Sequence, residues 1–466
     1  MSADPSALKL FSDDIENREE EQDIESIEVT DKVEVFFENQ KAIEWIKRGS
    51  FQRVALQLPD SLLKYAYEVA TDIEEKSGAK IYILADTSYR NCCVDVIAAE
   101  HSNCDALIHY GEACLSEKTD KIPVLYIFCR LPVDFRDFKV KFDQYLEKNR
   151  TESTKTIVLL YDSVYSHTSE QLKKVLEKRN LNIIECKTVG EVVEDEDVHL
   201  GRRIDKNIQE EESLLVFVGQ RESALLPIWL MTFPKYNKIV WYQPKEKVLE
   251  KEISTAYRQL RKRMYLIERL KDAKTIGLVI GTLGTKNGPE AIKRVRRLCE
   301  AAQKKLYVFA IGKLNEAKLS NFSGDIDAFI LLSCPLGVLL DANEFLKPIL
   351  SLFEAEIALN PASPDWFADA GWTAEYSNLL ENPIEPSKLT DRETDVSLIS
   401  GRIRNLQTQT EENDKKEIVL HSAGDYFMNR TWKGLDDECG QESTELKQGL
   451  KGVAMGYKTE PGDKKE

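Results

Sequence analysis

Short apolar runs separated by amphipathic stretches recur along most of the chain, and this alternation restricts the fold more than any single residue does. RVALQL (53–58), KIYILAD (80–86), DALIHYG (105–111) and PVLYIFC (123–129) read as strands. SLLKYAYEVATDIEEKSG, between the first two, has apolar residues at helical spacing and Gly78 as its stop, and CVDVIAAEHS reads as a second helix. Strands that are apolar at successive positions are buried on both faces, which a parallel sheet covered by helices requires. The same grammar returns with TIVLLYD (156–162), the helix SEQLKKVLEKRN, LNIIEC (181–186), LLVFVG (214–219) and KIVWYQ (238–243). It returns again with TIGLVIGT (275–282), the helix PEAIKRVRRLCEAAQKK (289–305), KLYVFAIG (305–312) and DAFILLSC (327–334). The repeat is one of pattern, without clear residue-by-residue identity between units. A chain of 466 residues fits three domains at about 150 residues each.

The expected organisation is an acidic, disordered tail over 1–30, then a first α/β domain over 31–150. A helical pattern opens that domain at VEVFFENQKAIEWI (33–46). A second α/β domain covers 151–253, and a connector helix, STAYRQLRKRMYLIERLKDA (254–273), leads into a third domain ending at 360. Residues 361–466 turn polar and read as arms and a tail, with one ordered piece at YFMNRTWKGL.

The net charge of −16 opposes nonspecific binding to nucleic acid or to an anionic membrane, because both are negative. No run of 18 or more apolar residues is present, so no membrane span is expected. The opening MSADPSALKLFSDDIENREEEQD has neither a basic leader nor an apolar segment, and a cytoplasmic location follows as the expectation. Nine cysteines, an odd number, in a reducing compartment leave buried thiols or metal ligands as the open readings.

In an open parallel sheet, ligands sit beyond the carboxyl ends of strands. Cys92 and Cys93 follow the second strand by one loop, Cys114 follows the third by a few residues, and Cys334 ends the strand DAFILLS and precedes Pro335. No C-x2-C spacing occurs, which disfavours a zinc finger and a ferredoxin-type run. Widely spaced thiolates can still converge if the first and third units pack together, and three of them would hold an iron–sulfur cluster with one iron open. The alternative is that all are core thiols, since cysteine is among the most buried residue types. Cys104, Cys129 and Cys299 fit the core reading, Cys439 lies in a polar tail, and Cys186 at a strand end competes as a ligand.

The loop GTLGTKNGPE (281–290) lies between a strand and a helix, where backbone N–H groups can hold an anion, but it matches neither phosphate-loop consensus. A permissive βα turn is the simpler reading, with a nucleotide-like ligand as the alternative. The basic run Arg258, Arg261, Lys262 and Arg263 reads as a solvated helix face. His101 and His109 read as hydrogen-bonded residues rather than catalytic bases.

Two long segments carry a family resemblance. LADTSYRNCCVDVIAAEHSNCDALIHYGEACLS (84–116) and LLSCPLGVLLDANEFLKPILSLFEAEIAL (331–359) resemble the signatures of the diphthamide synthesis proteins. VALQLPDSLL (54–63), GLVIGTLGT (277–285), TDVSLISG (394–401) and NRTWKGL (429–435) fall where that family has similar motifs. The resemblance spans roughly residues 33 to 460. It implies three similar α/β domains around a central [4Fe-4S] cluster. It also implies a part in moving a 3-amino-3-carboxypropyl group from S-adenosylmethionine to a histidine of translation elongation factor 2.

The family works as a heterodimer whose catalytic subunit is diphthamide biosynthesis protein 1. The companion subunit holds an accessory cluster that keeps the partner's reduced, with electrons from a small iron-containing donor protein. Catalytic-type members have one ligand cysteine in each domain, the middle one just past a stretch like CKTVGEV. Here Val192, Val193 and the run EDED occupy that region, so the middle ligand is missing and the accessory role is implied. The family pattern instead carries the cluster onto Cys93, Cys114 and Cys334. The choice of Cys93 over adjacent Cys92 is what the family pattern implies; neighbours at a helix start point about 100° apart, so only one of the two is expected to face the iron.

Overall fold

The computed structural model of the chain describes residues 32–404, apart from 85–89, 116–120, 150–155, 178–180, 191–196, 205–207, 222, 253–255, 283–286, 312–313, 339–344, 361–370, 385–394, 400 and 402. The acidic start, the centre of the 281–290 loop, NRTWKGL and Cys439 lie outside the described residues.

β1 (Arg53–Gln57), β2 (Lys80–Leu84), β3 (Ala106–Tyr110) and β4 (Val124–Ile127) form a parallel sheet in the order β2-β1-β3-β4. β5 (Thr156–Tyr161) and β6 (Asn182–Glu185) follow, then a small antiparallel ladder of β7 (Lys187–Thr188), β8 (Val198–His199) and β9 (Arg202–Arg203). β10 (Ser213–Val218), β11 (Lys238–Gln243) and β12 (Val248–Glu252) complete a second sheet in the order β6-β5-β10-β11-β12. The third sheet, of β13 (Thr275–Ile280), β14 (Lys305–Ala310), β15 (Ala328–Leu332) and β16 (Ile349–Ser351), has the order β14-β13-β15-β16 and is wholly parallel. Each sheet therefore repeats one plan: second strand, first, third, fourth. The second departs from the expected parallel pattern only at its edge, where β12 returns antiparallel to β11.

Burial follows the sequence logic. The central strands β3, β10 and β15 are buried at every position, whereas the edge strands β2 and β14 alternate toward solvent. Both edges open with lysine, an edge-strand guard against further pairing, and each lysine lies over a tyrosine ring two residues on: Lys80 over Tyr82 and Lys305 over Tyr307. A second matching device sits at the opposite strand. The Asp105 carboxylate accepts from the N–H groups of Gln52 and Arg53 (2.8 and 3.1 Å), and that of Asp327 from Lys274 and Thr275 (2.9 and 3.0 Å). The first and third units thus share a lysine, a tyrosine and an aspartate at matching places in the common strand order.

Three helices differ from their sequence reading. The stretch 33–46 breaks into Val33–Phe36 and Asn39–Gly49, because Glu38 adopts a left-handed conformation and its carboxylate is held by Arg130 Nε at 2.7 Å. The helix after β2 starts only at Val96, where the Asp95 side chain accepts from the Ala98 N–H and caps it. The connector, observed as Ala256–Asp272, is not solvated along its whole basic run. Arg263 is buried and donates to both carboxylate oxygens of buried Glu354, and to the Ile349 carbonyl at 3.1 Å.

Glu354 lies in the Leu352–Leu359 helix, which opens with a Ser351–Glu354 capping box. The same carboxylate accepts from Trp372 Nε1 at 3.0 Å, strapping segment 371–384 against the third sheet. Glu375 of that strap accepts from the Leu200 N–H (2.9 Å), between β8 and β9 of the small ladder. Among the described residues no helix is long and apolar enough to cross a membrane.

Candidate metal centre

Four thiols meet at the carboxyl ends of strands. Cys92 and Cys93 lie in the turn between β2 and the Val96–His101 helix, Cys114 lies just past β3, and Cys334 just past β15. Their Sγ atoms all lie within 4.8 Å of one another, and Cys92 Sγ stands 3.8 Å from Cys334 Sγ across 242 positions of sequence. Cys93, Cys114 and Cys334 are buried and Cys92 is half-buried. The first and third units thus converge on one site, and the three sequence candidates come together. Cys92 joins them because it occupies a turn, closed by the Cys93 N–H donating to the Arg90 carbonyl (2.9 Å). The helical divergence of neighbouring side chains does not apply there.

Main-chain contacts bind the three loops to one another. The Cys114 N–H donates to the Cys92 carbonyl at 3.0 Å, and Arg90 Nη1 reaches the Leu336 carbonyl in the turn after Cys334. That turn needs Gly337: a Cβ there would lie 3.2 Å from Cys334 Sγ and 3.1 Å from Ser333 Cβ.

Below the cysteine turn, Gln57 at the end of β1 is buried. Its Nε2 donates to the Cys93 carbonyl (2.7 Å) and its Oε1 accepts from the Asp95 N–H (2.9 Å). His109 in β3 is buried too, and burial pushes its pKa down, so the ring is neutral. Its Nε2 lies 3.0 Å from the Asn91 carbonyl, which can only accept, so Nε2 carries the proton. His109 is thus the hydrogen-bonded residue that the sequence suggests, whereas Gln57 is not among the sequence candidates. Its signal was a polar residue inside an otherwise apolar central strand.

Burial and mutual proximity keep the Cys93 and Cys334 thiols protonated in the absence of a cation. The Cys93 thiol is held well above the ordinary thiol range, first by the adjoining Cys114 thiol, with Cys92 and burial acting the same way and Cys334 opposing. Cys334 is raised likewise by Cys114, Cys92, Cys93 and burial. Neighbouring thiolates in a dry pocket repel one another, and a soft metal centre removes that repulsion by binding them. The donor set is purely sulfur, which suits zinc or an iron–sulfur cluster. A single tetrahedral ion with metal–sulfur bonds of about 2.3 Å needs sulfurs about 3.8 Å apart. A cuboidal cluster needs them farther apart.

The remaining described cysteines stand outside this group. Cys104, Cys129, Cys186 and Cys299 are buried, and no disulfide joins any of the eight described cysteines. Burial pushes the Cys186 thiol up to about 12, with the Arg202 charge opposing. Arg202 is itself fully buried and ties the first unit to the second. It donates to the Leu200 carbonyl (2.7 Å), Ser163 Oγ (3.0 Å) and the Glu112 carboxylate (3.0 Å), two residues before Cys114. His101 is exposed at a helix end, apart from this set.

The family model for diphthamide synthesis proteins matches residues 58–370. A Caenorhabditis elegans protein named 2-(3-amino-3-carboxypropyl)histidine synthase subunit 2 is 43% identical, with 91% of each chain covered. A Xenopus laevis protein of the same name is 37% identical over 91% of this chain and 92% of its own. In three dimensions, the crystal structure of Dph2 from Pyrococcus horikoshii with a 4Fe-4S cluster is similar at a TM-score of 0.54 and 21% identity, over 69% of this chain and 90% of that one. At that identity the likeness speaks for the parallel α/β fold, while the match across two thirds of the sequence and the curated relatives place the chain in the diphthamide synthesis family.

Proposed function

We propose that this chain is the iron–sulfur subunit of the complex that transfers a 3-amino-3-carboxypropyl group from S-adenosylmethionine to a histidine of translation elongation factor 2, the first step of diphthamide biosynthesis. In this reading it supports reduction of the catalytic cluster in its partner, diphthamide biosynthesis protein 1, and works in the cytoplasm with electrons from a small iron-containing protein. The observation that carries the reading is the meeting of Cys93, Cys114 and Cys334 in one buried site. The product named for the relatives and the 4Fe-4S cluster of the archaeal neighbour support it.

Cys93, Cys114 and Cys334 would hold the cluster, with the three α/β units arranged around it. When bound, the cluster supplies one-electron transfer. The chain's own part is placement and shielding. Gln57 fixes the Cys93 turn, and Arg90 couples it to the Cys334 turn. Neutral His109 adds no charge beside the thiolates. The apolar cluster that includes Cys93, Cys114 and Cys334 keeps water away, and a dry surrounding with few donors tunes a cluster's potential. Cys186 stands outside the thiol group, in keeping with an accessory rather than a catalytic subunit.

The test is metal analysis of the anaerobically purified complex, subunit by subunit. Iron and sulfide are expected in this chain, and Cys114→Ala or Cys334→Ala should remove them. With all three cysteines replaced, transfer should survive under dithionite and fail with the physiological donor. Zinc in place of iron, or iron unchanged in both single variants, would overturn the assignment.

A further inference from the structure

We propose that Cys92 supplies a fourth protein ligand and closes the centre, so that the cluster of this chain passes electrons but leaves no iron open to a small molecule. The inference rests on the reading above that a cluster is held here. It arises from a residue which that reading does not use.

Four observations carry it. Cys92 Sγ belongs to the same group as the other three, within 4.8 Å of each, and lies 3.8 Å from Cys334 Sγ. The pair Cys92–Cys93 sits in a turn, so both side chains face one centre where a helix would separate them. The Cys92 backbone is held in that place, since its carbonyl accepts the Cys114 N–H. Cys92 is also the half-buried member of an otherwise buried set.

The chemical consequence follows from counting ligands. A cubane of four irons with three cysteines keeps one iron exchangeable, and that position can take a substrate atom. With four thiolates every iron is satisfied, and what remains is electron transfer through the protein. Two subunits of one family can thus divide the work: one binds at an open iron, the other is closed and serves as a relay.

The experiment uses the full chain, purified anaerobically and reduced with dithionite, with cyanide and S-adenosylmethionine as separate probes. Electron paramagnetic resonance and Mössbauer spectra read the cluster directly. In the wild type, neither probe should shift the g values, and all four irons should have sulfur-only coordination. Cys92→Ser should retain the cluster on three cysteines, gain a distinct iron site, and show a g-shift with cyanide. Brief ferricyanide oxidation should convert this variant, and not the wild type, to a three-iron cluster. Cys92→Ala should repeat the result without a side-chain oxygen, and Cys186→Ser should behave as wild type. Should Cys92→Ser instead lose its iron while its near-ultraviolet dichroism stays native, Cys92 is still assigned as a ligand. A wild-type spectrum that already contains a distinct iron and shifts with cyanide overturns the inference while leaving the cluster in place. The absence of any cluster signal from the wild type overturns the functional reading itself.

Discussion

The residue that most directly links the fold to the thiol site is Gln57, and its replacement by methionine is the sharpest test of that link. Gln57→Met keeps the length and apolar volume of the side chain, a class of change that packed cores tolerate well. It removes both hydrogen bonds to the cysteine turn, from Nε2 to the Cys93 carbonyl (2.7 Å) and from the Asp95 N–H to Oε1 (2.9 Å). Position 57 is 1% exposed, so water cannot replace them without the turn moving. Each buried backbone group left without a partner costs about 1–3 kcal/mol, so the two together cost about 2–6 kcal/mol. Even the lower figure corresponds to about a 30-fold shift toward an opened turn, since about 1.4 kcal/mol is tenfold. The chain can take this loss as reduced global stability or by letting the turn, and Cys93 with it, swing outward. The assay therefore reads both the denaturant midpoint by circular dichroism and the iron stoichiometry after anaerobic purification, with exposed Gln40→Ala as the control. A fall in at least one is expected. If Gln57→Met matches the wild type in both, the claim that this strand end holds the cysteine turn is wrong.

Two further outcomes follow from the third unit. Gly337→Ala places a methyl against Cys334 Sγ and Ser333 Cβ, at 3.2 and 3.1 Å, and should lower iron retention while leaving far-ultraviolet dichroism unchanged; wild-type retention would show that the turn yields freely. Arg263→Met leaves Glu354 buried without its counter-charge, which typically costs about 3–5 kcal/mol. Burial alone would raise the Glu354 pKa, but Arg263 and two further donors, the Ser351 N–H and Trp372 Nε1, hold it below 4.5. Its contribution is therefore complete above about pH 4.5 and lost as pH falls through the folded value. In Arg263→Met the carboxyl pKa rises instead, so the stability gap from wild type should be widest at neutral pH and narrow on acidification. A gap that stays constant from pH 7 to pH 4 would contradict this account.

Much of the architecture was legible because buried parallel strands leave an unmistakable apolar signature. LLVFVG and DAFILL could only be central strands, and they are buried at every residue of β10 and β15. The antiparallel return of β12 was not legible, since VLEKE has the composition of a surface strand and pairing direction depends on a short turn. At the site, three thiols were found through the family pattern. The preference for Cys93 over Cys92 comes from that same pattern, while the expectation that only one of the two faces the centre takes CVDVIAAEHS as helical from its first residue. The Asp95 cap starts the helix three residues later and turns the premise over. Arg263 shows the same limit: one arginine of a basic helix face is buried because Glu354 waits 91 positions away, and no local pattern reports such a partner.

The middle unit explains why two of three similar sheets contribute thiols. Where β3 leads to Cys114 and β15 to Cys334, the matching strand β10 leads to Gly219, Gln220 and Ser223. There the Gln220 N–H and the Ser223 hydroxyl donate to the Asp162 carboxylate at 2.8 and 2.5 Å. Burial pushes the Asp162 pKa up to about 7, with the Glu112 carboxylate adding to the rise and Ser223, Gln220 and Arg202 opposing it. The same end of the sheet holds Arg202, whose guanidinium reaches Glu112 in the Cys114 loop. A set of carboxylates and a guanidinium offers a soft metal little, but it is well suited to fixing a neighbouring loop through charge-assisted bonds. The second sheet therefore acts on the thiol site by positioning the loop of Cys114, while the first and third sheets supply the sulfur.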